Sequence, residues 1–235
     1  MAKIRTKTVP QPVSAVASTQ ERIKQTACRL FANRGIDGVS VRDIVVASGQ
    51  KNGGSLHYYF RTKEALVRDL VAEGAKLIDE RRNQLLDQLE SRRRLPTLRE
   101  IIEALLWPST DLETDAAHPS TYIRFITNLR TNHRELFLEA LERKWDSGYR
   151  RCIAHIRRLL ADLPEALVNQ RIIFMSLYLQ ATLSARESAL EHRDGHNRLW
   201  FQPETCENLI DTVCGLLTEP PSAKTLESTR TETKR

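Results

Sequence analysis

Along most of the chain, apolar residues recur at spacings of three and four, the repeat of a helix with one buried face. Ser18 opens the first segment with a capping box, S-T-Q-E, in which Ser18 caps and Glu21 reaches back. Ile23, Ala27, Leu30 and Phe31 form its stripe and Gly35 ends it. Ser40 starts a short second helix with Ile44, Val45 and Ala47 inside, and Gly49 stops it. The stretch GQKNGGSLHYYF, Gly49 to Phe60, predicts a turn and a third short helix. Leu56, Tyr59 and Phe60 face inward there, leaving Ser55, His57 and Tyr58 outward beside Gln50, Lys51 and Asn52. Thr62 caps a fourth helix, KEALVRDLVAEGAKLIDE, which runs to about Ser91. Thr97 with Glu100 caps a fifth that stops at Pro108. Helices follow over roughly 119–130, 133–162, 164–192 and 203–218, the last opened by Pro203. No strand or repeat is expected. The fold class is all-α.

Three short helices within about 45 residues, the second and third joined by a glycine-led turn, form a helix-turn-helix pattern. The chain thus divides into a disordered basic arm (1–17), a three-helix head (18–63), a larger helical domain (64–218) and a disordered polar tail (219–235). At 235 residues, 40% apolar and 28% charged, the chain suits a small first domain and a larger second one with a sizeable core. Charge sharpens the division. Residues 1–63 hold eleven of the 36 Lys/Arg but three of the 30 Asp/Glu, a net +8, which leaves the remainder at −2. Such asymmetry is expected when one domain meets a polyanion and the other does not. No signal peptide is read, and the longest apolar block, Ile172 to Ala185, is too short for a bilayer, which takes ~20 apolar residues. Four scattered cysteines without a C-x-x-C pair fit buried thiols in a reducing cytoplasm.

Enzymatic signatures are weak. The G-x-S-x-G, G-x-G-x-x-G and P-loop patterns are absent. His192 and His196 have H-x-x-x-H spacing, but Gly195 and polar neighbours suggest a loop; Asp111, Glu113 and Asp115 alternate without the glycine and glutamate of a calcium loop. No cofactor and no metal is expected, and an all-helical enzyme remains the alternative from another class.

The run RIKQTACRLFANRGIDGVSVRDIVVASG, followed by LHYYFRTKEALV, resembles the DNA-binding domain of the TetR family of transcriptional regulators. The resemblance rests on A-x-x-L-F-x-x-x-G in the first helix, V-R-D-I opening the second, Y-x-F closing the third and K-E-A-L starting the fourth. It covers residues 20–68; for the rest it is architectural. One departure is local. Gly49 to Phe60 is eleven steps where the commoner family spelling has ten, so the turn is one residue longer and any of Gln50, Lys51 and Asn52 is left as the base reader.

The resemblance implies that the third helix enters the major groove while phosphate contacts fix its register. Arg42 can meet phosphate or a guanine edge; Ser40 lies at a helix N-terminus that favours an anion. Lys63 matches a family backbone contact, Gly54 lets backbone approach DNA, and Ser55, His57 and Tyr58 offer polar tips. The partner that the resemblance implies is palindromic double-stranded DNA. The family pairs through its last two helices, which implies a homodimer through Ile173, Leu177, Leu209, Ile210, Val213 and Leu217. It also implies a small apolar or amphipathic effector between helices, near Trp107, Tyr122, Phe125, Trp145, Tyr149, Phe174 and Tyr178. Repression relieved by that effector is the family tendency; an activator or a ligand-independent DNA binder are the alternatives. Gly74 serves either as a soft point in the fourth helix or as a site of close packing.

Overall fold

The structure is a computed structural model that describes residues 18–50, 54–110, 112, 120–141, 144–192, 198–202 and 204–232. Among these residues the chain is all-α. The head consists of α1 (Thr19–Arg34), α2 (Val41–Ala47) and α3 (Gly54–Phe60), and α4 (Lys63–Glu90) runs out of it. There follow α5 (Leu98–Thr110), α6 (Tyr122–Asn132), α7 (Arg134–Leu141), α8 (Ser147–Leu159), α9 (Glu165–His192), a 3-10 turn (Arg198–Phe201), α10 (Glu204–Thr218) and α11 (Ala223–Glu232). The basic arm 1–17 lies outside the described residues, as do the 111, 113–119 and 193–197 stretches that hold Asp111, Glu113, Asp115 and His196. Among the described residues no helix is long and apolar enough to cross a membrane.

Two cores result. The head buries Ile23, Ala27, Phe31, Val39, Ile44, Leu56 and Phe60 against Leu66, Val67 and Val71 of α4. That core does not close at residue 63. Phe125 and Leu129 of α6 are buried within it, and the Phe31 and Phe125 rings stack at 5.9 Å. The second core gathers α4, α5, α8, α9 and α10 around Leu86, Ile102, Leu106, Ile156, Met175, Ile210 and Val213. In α2 the buried pair is Ile44 and Val45; Ala47, expected inside, is exposed.

Several boundaries differ from expectation for reasons that lie far off in sequence. α5 runs through Pro108 to Thr110. A proline has no N–H for the carbonyl four residues back, but buried Arg82 of α4 donates Nε to Ala104 O (3.3 Å) and Nη2 to Leu105 O (3.1 Å). The single helix expected over 133–162 is two. Buried Asp79 of α4 accepts from Gly148 N (2.8 Å) and Ser147 Oγ (2.7 Å), so it supplies the N-terminal cap of a new helix, α8. The tail expected to be disordered forms α11, whose start is capped by Ser222 Oγ accepting from Thr225 N. All four cysteines are free. Burial pushes the Cys28 thiol up to about 12 and Cys152 up to about 11, so both are poor nucleophiles.

Gly74 is a packing site. A Cβ built there would lie 2.2 Å from the Tyr122 ring, whose hydroxyl donates to Val71 O at 3.0 Å. The glycine leaves room for the Tyr122 ring, at the first position of α6, to lie against α4.

Candidate nucleic-acid interface

The turn and α3 are held from within. Gly49 adopts φ 70°, in the left-handed region that suits glycine, and Gln50 N donates to Val45 O across the turn. The Gln50 amide also donates to Ser48 O (3.3 Å), so this side chain is tied to the turn. Lys51 and Asn52, the other two base-reading candidates, lie outside the described residues. Leu56 and Phe60, one helical turn apart, are 1% and 6% exposed and seat α3 on the head core. Gly54 stands at the first position of α3 and half-buried Ser55 at the second.

This seating aims His57 and Tyr58 outward. Tyr58 is 80% exposed. His57 Nδ1 lies 2.9 Å from Arg61 O; a carbonyl only accepts, so Nδ1 carries the proton and Nε2 faces solvent as an acceptor when the ring is neutral. Tyr59, expected inward, is 39% exposed and stands edge-on to the Tyr58 ring at 5.0 Å. The two positions a helical turn apart fill the available core, and the third ring turns to its neighbour instead. After α3 the chain reverses at Arg61, a non-glycine residue at φ 63°. Arg61 is an exposed cation beside α3 that the sequence pattern did not single out; its place between Phe60 and the helix cap Thr62 was the available signal.

Two expected phosphate contacts are engaged within the protein. Ser40 and Asp43 form a complete capping box: Ser40 Oγ accepts from Asp43 N (3.2 Å) and donates to Asp43 Oδ2 (2.6 Å), and Ser40 N donates to that same oxygen (2.8 Å). These bonds hold the Asp43 carboxyl below the usual carboxylate range. The place for an anion at the start of α2 is therefore filled by the protein's own carboxylate. Lys63 Nζ donates to Ile36 O (3.0 Å) and Val39 O (3.1 Å), tying the α1–α2 loop to the start of α4. Arg42 is exposed on α2.

The residues expected to form one ligand pocket are dispersed. Phe125 is fully buried in the head core and Tyr122 lies over Gly74. Trp107 and Tyr178 pack on the second core, Trp145 sits under Lys76 Nζ (5.7 Å), Tyr149 Oη pairs with Ser176 Oγ (3.1 Å), and Phe174 is 55% exposed. A groove of about 350 Å³ occurs elsewhere, lined by Thr127, Arg130 and Thr131 of α6, Arg134, Phe137 and Leu138 of α7 and Leu177, Gln180 and Ala181 of α9.

The expected pairing surface also splits. Leu209, Ile210, Val213 and Leu217 are at most 5% exposed and fill the monomer's own second core, so they are unavailable to a partner. The α10 stripe is consumed by α5 and α9. Ile173 and Leu177, with Phe174 between them, are 55–58% exposed and form an apolar face on α9.

A cationic three-helix head followed by a larger helical domain defines the class of a helix-turn-helix transcription regulator. The family model "Bacterial regulatory proteins, tetR family" matches residues 23–70, about a fifth of the chain, which covers the three-helix head and the start of α4. The HTH-type transcriptional repressor KstR2 of Mycolicibacterium smegmatis is 33% identical over 82 residues, which span 35% of this chain and 40% of that protein. In fold, the chain is similar to Mycobacterium smegmatis AmtR, with a TM-score of 0.57 and 17% identity over 95% of this chain and 98% of that one. A structure described as superantigen PfiT, TM-score 0.50 at 18% identity, covers 86% of this chain and 98% of its own; at that distance a shared fold carries no function.

Proposed function

We propose that this regulator is a cytoplasmic homodimeric repressor that binds a palindromic operator through α3 and is released by a small amphipathic effector. The observation that carries the DNA reading is the seating of α3: buried Leu56 and Phe60 leave His57 and Tyr58 outward, flanked by exposed Arg42 and Arg61. In that reading His57, Tyr58, Arg42 and Arg61 meet the duplex, with Gly54 and Ser55 at the leading end of α3 and Gln50, Lys51 and Asn52 in the turn. Lys63 acts by holding the head together rather than by touching phosphate. Pairing through the apolar face of α9, centred on Ile173, Phe174 and Leu177, supplies the second head that two half-sites ~34–36 Å apart require. The matched segment of the repressor KstR2 supports the sign of the effect.

The groove among α6, α7 and α9 supports the effector reading. Among the described residues Arg130 and Arg134 make no ion pair, while Phe137, Leu138 and Leu177 supply apolar lining. An amphipath with an acidic end fits that pattern. The test is selection of bound sequences from random duplex DNA, followed by anisotropy titration of the recovered palindrome at several salt concentrations. Tight, salt-sensitive binding to the palindrome over scrambled duplex is expected, with release by amphipathic carboxylates. Equal binding to palindrome and scramble would refute the operator reading.

A further inference from the structure

One charged cluster joins three helices that the DNA reading treats separately. Arg124 of α6, only 7% exposed, sends Nη2 to Asn33 Oδ1 of α1 and to Glu191 Oε2 of α9, both at 2.5 Å. Asn33 closes the triangle by donating Nδ2 to Glu191 Oε1 (3.5 Å). One turn earlier on α9, buried Glu187 accepts the backbone N–H groups of Ile123 (3.0 Å) and Arg124 (2.8 Å), holding the first turn of α6 against α9. A buried guanidinium needs partners; here Nη2 finds them on the head on one side and on the α9 helix on the other, while Nε has none among the described residues.

We infer that Asn33, Arg124 and Glu191 are positioning residues for DNA recognition: they form a latch that sets the angle of the head relative to α9, and so the spacing of the two heads in the pair. This rests on the reading of the protein as a paired DNA binder. The apolar face at Ile173 to Leu177 and the latch at Glu191 share one continuous helix, so a rotation at the latch is a rotation of the head relative to the pairing surface. The lever is long. α1 has 16 residues, about 24 Å, and a 10° turn about its latched end moves its far end by about 4 Å. That exceeds one base-pair step, about 3.4 Å. Asn33 suits its place because its amide both accepts from the guanidinium, through Oδ1, and donates to the carboxylate, through Nδ2.

The isosteric exchange tests this. Asn33→Asp sets two carboxylates against each other, Glu191→Gln sets two amides on one guanidinium, and the double variant N33D/E191Q rebuilds the triangle with amide and carboxylate exchanged. Two quantities are read: deuterium uptake in the last turn of α1 and first turn of α6, and the affinity ratio between the selected palindrome and a single half-site. Each single variant is expected to raise uptake and to lower the ratio by about tenfold, and the double variant to return both toward wild type. Single variants that match wild type, or a double variant no better than either, overturn the inference. If wild-type protein prefers no palindrome, the DNA reading itself fails; exchange rescued in the double variant then separates that failure from failure of the contact.

Discussion

Replacing Gly74 by alanine sets two well-calibrated effects against each other. In an exposed helix interior Gly→Ala stabilises by about 1 kcal/mol, because glycine has the larger backbone entropy to lose. At this site, however, the added methyl would sit 2.2 Å from Tyr122 Cε2 and 2.3 Å from Cζ, far inside contact distance. The obstacle is a ring packed near Phe125 (6.2 Å between centroids) and held by its hydroxyl to Val71 O, so it cannot swing aside freely. Overpacking of this kind costs about 1–3 kcal/mol, and loss of the hydroxyl bond adds about 1 kcal/mol. Steric cost wins, and Gly74→Ala is expected to destabilise by about 1–3 kcal/mol net of its propensity gain. In a Tyr122→Ala background the same substitution should stabilise by about 1 kcal/mol, since only the propensity term survives. Urea unfolding of the four proteins, compared at constant m, measures the cycle. A Gly74→Ala protein more stable than wild type, or an equal change in both backgrounds, would refute close packing and restore the soft point.

Arg82→Met leaves the Ala104 carbonyl opposite Pro108 without a donor and should cost about 1–3 kcal/mol in urea unfolding; adding Pro108→Ala, which restores the helical N–H, should recover part of it, and no recovery would show that Arg82 acts otherwise. Burial raises the Glu187 carboxyl from 4.5 to about 7, so between those values the native state holds a proton that the unfolded state has released. Stability therefore falls as pH rises through that window, by about 3 kcal/mol at most, and Glu187→Gln should flatten the fall; parallel pH profiles for the two proteins would refute it. Arg42→Ala should lower the salt slope of operator binding by about one unit, whereas Lys63→Met should lower thermal stability and leave that slope unchanged. A reduced slope for Lys63→Met would return that ammonium to the phosphates.

The sequence alone determined what local rules govern. The all-α class followed from a helical repeat of apolar residues, and the head followed from a capping serine, a turn glycine and the Leu56/Phe60 pair acting within about forty residues. The +8 charge and the outward His57 and Tyr58 were equally legible, because a helix seven residues long has few ways to bury two apolar side chains. Tertiary structure decided whatever depends on a partner far along the chain. Asp79 starts α8, Arg82 carries α5 past Pro108, Lys63 is drawn to two loop carbonyls, and Glu187 with Glu191 holds α6 against α9. Periodicity says that the α10 stripe must be buried but not by what, so the monomer's own core and a second copy look alike in sequence; in the fold α5 and α9 cover it, and Ile173, Phe174 and Leu177 remain outside. The physical reason is common to all of these. A side chain's local spacing sets which face it occupies, whereas the group that satisfies it is chosen by how distant helices pack.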